Sequence, residues 1–175
     1  PDWEKPADAD EGNDYEITVV ASNSEGHTTQ VNFRVEVMDD NQAPKDLAVS
    51  LTEMLENLRV GSVVGTFTSV DPDPQDKHTY QLVMGEGDTG NETFAIQGNE
   101  LILLKPLNFE SQSIYSIRVS STDNKGLSHE KSLIFNVVDT NESPEGLSLS
   151  TSSIRENVKS DAVVGTLSSV DPDYE

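Results

Sequence analysis

Hard oxygen donors recur at fixed places along this chain, and their spacing is the first chemistry it offers. Asp71-Pro72-Asp73 returns 100 residues later as Asp171-Pro172-Asp173, and Glu56-Asn57 returns as Glu156-Asn157. Over positions 45–75 against 145–175, 13 of 31 residues are identical, Gly65 and Gly165 among them. Just upstream, DDNQAP (Asp39–Pro44) answers DTNESP (Asp139–Pro144). Carboxylates, Asn amides and backbone carbonyls are what calcium takes, about six to eight at a time. Each motif alone has a plainer use: Asp-Pro-Asp makes turns, Asp123–Gly126 (DNKG) suits a hairpin, and Glu56-Asn57 could end a strand. Recurrence in one register favours a cation role. A fixed period marks a tandem array, and its most acidic positions fall where one repeat meets the next.

Composition narrows the chemistry further. The 175 residues carry 32 acidic and 11 basic side chains, a formal net charge of −21. Such a surface repels nucleic acid and anionic membranes, and most of its acids serve as solvated surface. Without cysteine there is neither a disulfide framework nor a thiolate zinc site. No apolar run approaches the roughly 18 residues of a membrane span. His27, His78 and His129 fall on different strands or turns, with no nucleophile or metal-helix spacing around them, which indicates exposed or structural roles. Paired carboxylates could suggest a glycosidase dyad, but a thin sandwich has no long loops to wall a cleft. Asn91-Glu92-Thr93 and Asn141-Glu142-Ser143 match the glycosylation pattern; a glycan on Asn141 would conflict with a ligand role there.

The elements that must position these groups are strands. VNFRVEV (Val31–Val37) alternates strictly, which predicts an inward face of Val31, Phe33, Val35 and Val37. Between residues 41 and 140 the pattern predicts strands near Leu47–Leu51, Ser62–Ser69, His78–Val83, Phe94–Ile96, Leu101–Leu104, Ile114–Ser121 and Leu133–Val138. Seven short strands separated by turn residues read as an all-β, Greek-key sandwich. The period divides the chain into the end of one repeat (1–40), a complete repeat (41–140) and the start of a third (141–175). The connection from Val37 to Leu47 is too short and Pro-restricted to act as a floppy linker.

The ordered set of E-N, D-x-D, an L-D-x-E-like step, D-x-x-G and D-x-N-x-x-P resembles the cadherin repeat. The short junctions, and the segment DWEKPADADEGNDYEITVVAS (Asp2–Ser22), are most similar to cadherin-like repeats of large bacterial surface adhesins. The resemblance implies calcium at each junction. At the first it implies Asp2 and Glu4, then Asp39, the Asp40 carbonyl and Asn41, then Asp71, Asp73 and Asp123. At the second it implies Glu56, Asn108 and Glu110, then Asp139, Asn141 and Glu142, then Asp171 and Asp173. Gln42 stands where a junction carboxylate is expected, and Asn108 replaces the first acid of D-x-E. Neutral ligands reduce the charge count of a calcium site, so two firmly held ions per junction are expected, with the outermost weak or absent.

Trp3 aligns with Phe109, late in a repeat, and is expected to pack at or line the junction. Asp8, Asp10 and Glu11 are expected to form a solvated loop. The resemblance implies a non-enzymatic role: calcium-rigidified extender repeats of a cell-surface or secreted adhesin. Its partners would be calcium, the neighbouring repeats, and a cell-surface protein or polysaccharide. The alternative is a polysaccharide- or protein-binding module within a secreted enzyme or surface protein.

Overall fold

The structure, a computed structural model, describes residues 2–6 and 12–173; the expected loop at Asp8, Asp10 and Glu11 lies outside them. The chain divides into two compact units. The first gathers Pro1–Leu47, Ser69–Thr79 and Ser121–His129; the second gathers Ala48–Thr68, Tyr80–Ser120 and Glu130–Glu175. No α-helix occurs among the described residues, only a 3-10 turn at Asn91–Thr93.

In the first unit, β1 (Asp14–Ser22) and β2 (Thr28–Glu36) form an antiparallel hairpin, in register from Asp14 opposite Glu36 to Ser22 opposite Thr28. Its turn is built by Asn23, whose Oδ1 accepts the N–H groups of Glu25 (3.0 Å) and His27 (2.9 Å). Gly26, at φ 84°, closes that turn in the left-handed region glycine tolerates. The expected inward face is exposed instead: Val31, Phe33 and Val35 stand open to solvent, and Val37 is half-buried. The alternation is real, but the sheet has only two strands, and among the described residues no second layer covers it.

The remaining strands are β3 (Asp46–Val49), β4 (Glu53–Leu55), β5 (Val63–Val70), β6 (Thr79–Leu82), β7 (Phe94–Gln97), β8 (Glu100–Leu103), β9 (Ile114–Thr122) and β10 (Ser128–Val138). They form two four-stranded sheets, ordered β3-β5-β8-β7 and β4-β10-β9-β6. β11 (Leu147–Leu149) and β12 (Leu167–Ser169) pair separately as an antiparallel ribbon. The predicted strand Leu47–Leu51 corresponds to β3, and β4 is a further strand that the sequence pattern did not predict. After β3 the chain crosses to the other sheet, where β4 runs parallel to β10 with Met54 opposite Val137. Asn136 donates its N–H to the Thr52 carbonyl at 2.8 Å just before this pairing. Burial of Met54 favours the crossing, and β3 and β4 together count as one strand of the seven-strand sandwich.

Within the second unit, the facing sheets meet through aromatic rings. Phe67 of β5 stacks on Tyr80 of β6 at 5.3 Å between centroids, and Phe94 of β7 packs against Phe135 of β10 at 5.7 Å. Phe67, Leu101, Leu103, Ile117, Val119 and Phe135 are essentially inaccessible to solvent, each worth about 1.5–3 kcal/mol of burial. The 100-residue period reappears in the hydrogen bonds. Thr66 donates its N–H to Ser50 Oγ at 2.9 Å, as Thr166 does to Ser150 Oγ at the same distance. A Cβ on Gly65 would lie 2.7 Å from Val49 Cγ2, and one on Gly165 would lie 3.0 Å from Leu149 Cδ1. Close approach across the sheet therefore accounts for glycine at both positions.

Candidate metal centres at the repeat junctions

The first unit brings its acids together in two clusters. Glu4, Asp39 and Asp73 each place one carboxylate oxygen within 4.8 Å of the other two, and Asp71, Asp76 and Asp123 do the same. Asn41 and Gln42 each bond to one of the two clusters. The Gln42 N–H donates to Asp73 Oδ2 at 2.7 Å, and the Asn41 amide nitrogen donates to Asp123 Oδ2 at 2.8 Å. These bonds leave Asp73 Oδ1 and Asn41 Oδ1 buried without a donor. Gln42, in the expected carboxylate position, uses its side-chain nitrogen to bridge the Asp40 carbonyl (2.5 Å) and Glu4 Oε1 (3.4 Å). Asp2 is exposed and belongs to neither cluster; its Oδ1 accepts the N–H groups of Glu4 and Lys5 at 3.1 and 3.2 Å. Trp3 lines a cavity with Glu4, Val37, Met38, Asp40 and Gln42.

The second unit repeats the pattern. Glu56, Glu110 and Asp139 form one cluster; Glu110, Glu142 and Asp173 form another. Glu56 is 4 % exposed, and both its oxygens are held by backbone, Oε1 by Thr140 N–H (2.6 Å) and Oε2 by Phe109 N–H (2.8 Å). The Glu142 N–H donates to Asp173 Oδ2 at 2.7 Å, matching Gln42 and Asp73. Asp173 N–H reaches Asp171 Oδ1 at 3.3 Å, as Asp73 N–H reaches Asp71 Oδ1 at 3.0 Å. The Asn141 amide nitrogen donates to the Glu142 carbonyl at 3.0 Å. Asn108 instead turns its Oδ1 to the Ser111 N–H at 2.6 Å, and Asp171 lies outside both carboxylate clusters. Glu142 Oε2 and Asp173 Oδ1 are buried without a donor.

These orphaned acceptors test the fit of a cation. A buried polar oxygen ordinarily has a hydrogen-bond partner, and an acceptor without a donor is a natural cation ligand. Among the described residues, Asp73 Oδ1, Asn41 Oδ1, Asp173 Oδ1 and Glu142 Oε2 lack partners at the junctions; the others so placed are on Asn13 and Thr140. The donor set is all oxygen and rich in carboxylates, which suits calcium better than zinc or copper. Magnesium ordinarily keeps several waters and uses one or two carboxylates.

Electrostatics agree with that reading. Burial acts to raise Asp123, but hydrogen bonds from Asn41 and from the backbone of Leu127, Lys125 and Gly126 prevail and hold it below its ordinary value. Asp139, exposed as a residue, is raised by lost hydration around its carboxyl group and by the charges of Asp173 and Glu56. Glu142 is pushed up to about 7, by burial first, then by a hydrogen bond shared with Asp173 and the charges of Glu56, Asp173 and Glu110. Like charges held this close favour a proton or a cation.

The comparisons with known proteins place the chain in a family. The cadherin-domain model matches residues 50–138. The chain belongs to the cadherin family. It is 29% identical to human Protocadherin Fat 4 over 150 residues, covering 81% of this chain and 3% of that protein. It is 31% identical to human Protocadherin beta-1 over 148 residues, covering 80% of this chain and 18% of that protein. The chain thus spans a small part of these relatives. Among solved structures, Protocadherin Gamma B7 extracellular cadherin domains 1-4 matches with a TM-score of 0.64 and 21% identity, over 96% of this chain and 43% of that one. That likeness establishes the β-sandwich fold. The curated relatives named here are human protocadherins, so membership is shown for cadherins at large.

Two residues of the first junction escaped the sequence reading. Asp76 lies in a cluster with Asp71 and Asp123, although the motif set has no place for it. With the Asn124 amide turned to suit its surroundings, its nitrogen donates to both Asp76 oxygens, at 2.8 and 3.0 Å. His78, expected to be exposed or merely structural, is half-buried with its Nε2 2.7 Å from Asp71 Oδ2. Three acids within six residues (71, 73 and 76) were the available signal for Asp76; nothing in the histidine spacing pointed to Asp71. Asn91, by contrast, is engaged at both ends of its amide, donating to the Val83 carbonyl at 2.9 Å and accepting the Arg118 N–H at 3.0 Å.

Proposed function

We propose that this chain is a stretch of calcium-rigidified cadherin repeats that extends a cell-surface or secreted adhesin, and that it has no enzymatic role. The observation that carries the reading is the pairing of orphaned buried acceptors, Asp73 Oδ1 and Asp173 Oδ1, at equivalent places 100 residues apart. At the first junction Glu4, Asp39 and Asp73 would hold one ion, and Asp71, Asp76, Asp123 and Asn41 another. At the second, Glu56, Glu110 and Asp139 would hold one, and Glu110, Glu142 and Asp173 another. Asp2, the Asp40 carbonyl, Asn108, Asn141 and Asp171 complete the ligand set the motif order implies. Calcium supplies the positive charge that lets these carboxylates share one place.

The chain's own residues do the rest. Backbone N–H groups aim Glu56, Asp73 and Asp173, while the Asn41 amide fixes Asp123. Without the ion the acids repel and successive repeats hinge; with it, ligands from both sides of a junction share one centre and the angle is set. Repeat boundaries near residues 40 and 140 follow from the same scheme. The parent protein would be extracellular, and a bacterial surface adhesin is the setting that the short junctions suggest. Calcium titration by calorimetry, paired with small-angle scattering, tests the proposal. Saturable binding at both junctions, with a stiffer and more extended particle, is expected; no binding at millimolar calcium would overturn it.

A further inference from the structure

We infer that His78 is a positioning residue for the Asp71 carboxylate, holding it as a ligand at the first junction through an Nε2–H donor. The inference rests on the calcium reading above. Asp71 is tethered by both oxygens: Oδ1 accepts the Asp73 N–H at 3.0 Å, and Oδ2 lies 2.7 Å from His78 Nε2. The side chains are nearly closed to solvent, 4 % exposed for Asp71 and 12 % for His78. An ionised carboxylate only accepts, so the proton between them belongs to Nε2. Each Asp71 oxygen still keeps a lone pair for a cation.

The identity of the tether matters. Asp71 stands within 4.8 Å of Asp76 and Asp123, and three like charges drive one another apart. A side-chain N–H donor at position 78 holds the carboxylate against that repulsion, as an alanine could not. Asp76 receives a similar support from the Asn124 amide, and Asp123 from Asn41. All three acids of this cluster are thus held by side-chain donors. Outer partners of this kind typically change metal affinity about 10- to 100-fold when removed.

The test compares His78→Ala and His78→Gln in the full chain by calcium calorimetry, with the second junction as internal reference. His78→Ala should weaken one first-junction ion about 10- to 100-fold. His78→Gln, whose amide nitrogen can donate to Asp71, should recover affinity to within about threefold of wild type. Wild-type affinity in His78→Ala, or equal loss in both variants, would overturn the inference. The ring nitrogen shifts of the calcium-free wild type give an independent readout that no folding defect can obscure. They should report a protonated Nε2; a bare Nε2 would overturn the assignment. If the wild type bound no calcium, the functional reading and this one would fall together. Binding that is indifferent to His78 would remove this one alone.

Discussion

Lowering the pH from 8 to 6 should weaken calcium binding at the second junction about tenfold, and the cause is a single carboxyl group. Glu142 is held up to about 7 by burial, by its hydrogen bond with Asp173 and by the surrounding charges. Calcium takes the carboxylate and not the acid, so binding must displace that proton. A group with a midpoint near 7 is about nine-tenths ionised at pH 8 and about one-tenth at pH 6, and that ratio sets the loss of apparent affinity. At pH 7 roughly half a proton should leave Glu142 for each ion bound. Calorimetry in buffers of different ionisation enthalpy measures this directly, since the released proton adds the buffer's heat to the observed enthalpy. The first junction carries Gln42 at the matching place and has no such proton to release. Glu142→Gln should therefore abolish most of the buffer dependence. A zero buffer slope at pH 7, or a pH response that survives Glu142→Gln, would refute the reasoning.

The calcium-free protein should respond in the opposite sense. Because the folded state holds the Glu142 proton more tightly than a free glutamate, whose ordinary value is 4.5, this group favours the folded state below that value. The contribution is then lost as pH rises through about 7. Calcium-free melting should fall between pH 5 and 8 from this cause, and saturating calcium should reverse the trend.

Asp73→Ala should be the most damaging ligand change at the first junction, loosening scattering-derived rigidity and removing at least one bound ion while the sandwich core stays folded; unchanged stoichiometry and rigidity would exclude the assignment. Glu56→Gln turns an acceptor against a backbone N–H at a position held by two such bonds, and should cost about 1.5–3 kcal/mol in chemical denaturation even without calcium. Gly65→Ala forces a Cβ to 2.7 Å from Val49 Cγ2, and should cost about 1–3 kcal/mol by the same measurement without altering calcium stoichiometry.

What the sequence disclosed and what it withheld divide along a physical line. Alternation and turn residues report local backbone periodicity, so the β-sandwich was legible, with most strand bounds within a residue or two. Partnership is not local. The alternating face of Val31, Phe33 and Val35 looks like core in sequence, yet it is exposed because burial depends on a second layer. The break between β3 and β4 escaped for a related reason: the crossing is decided by the space beside β10, not by the residues at 50–52. At the junctions, the repeat period marked Asp39 and Asp73 through Asp139 and Asp173, and the family resemblance joined Glu4 to them as one ligand group before any coordinates. Asp76 and His78 have no such echo, because the chain carries a single copy of their loop. Their association with Asp71 arises from the fold of the 71–78 turn alone. A repeat therefore reveals the ligands its copies share, while groups present in a single copy must be read from their geometry.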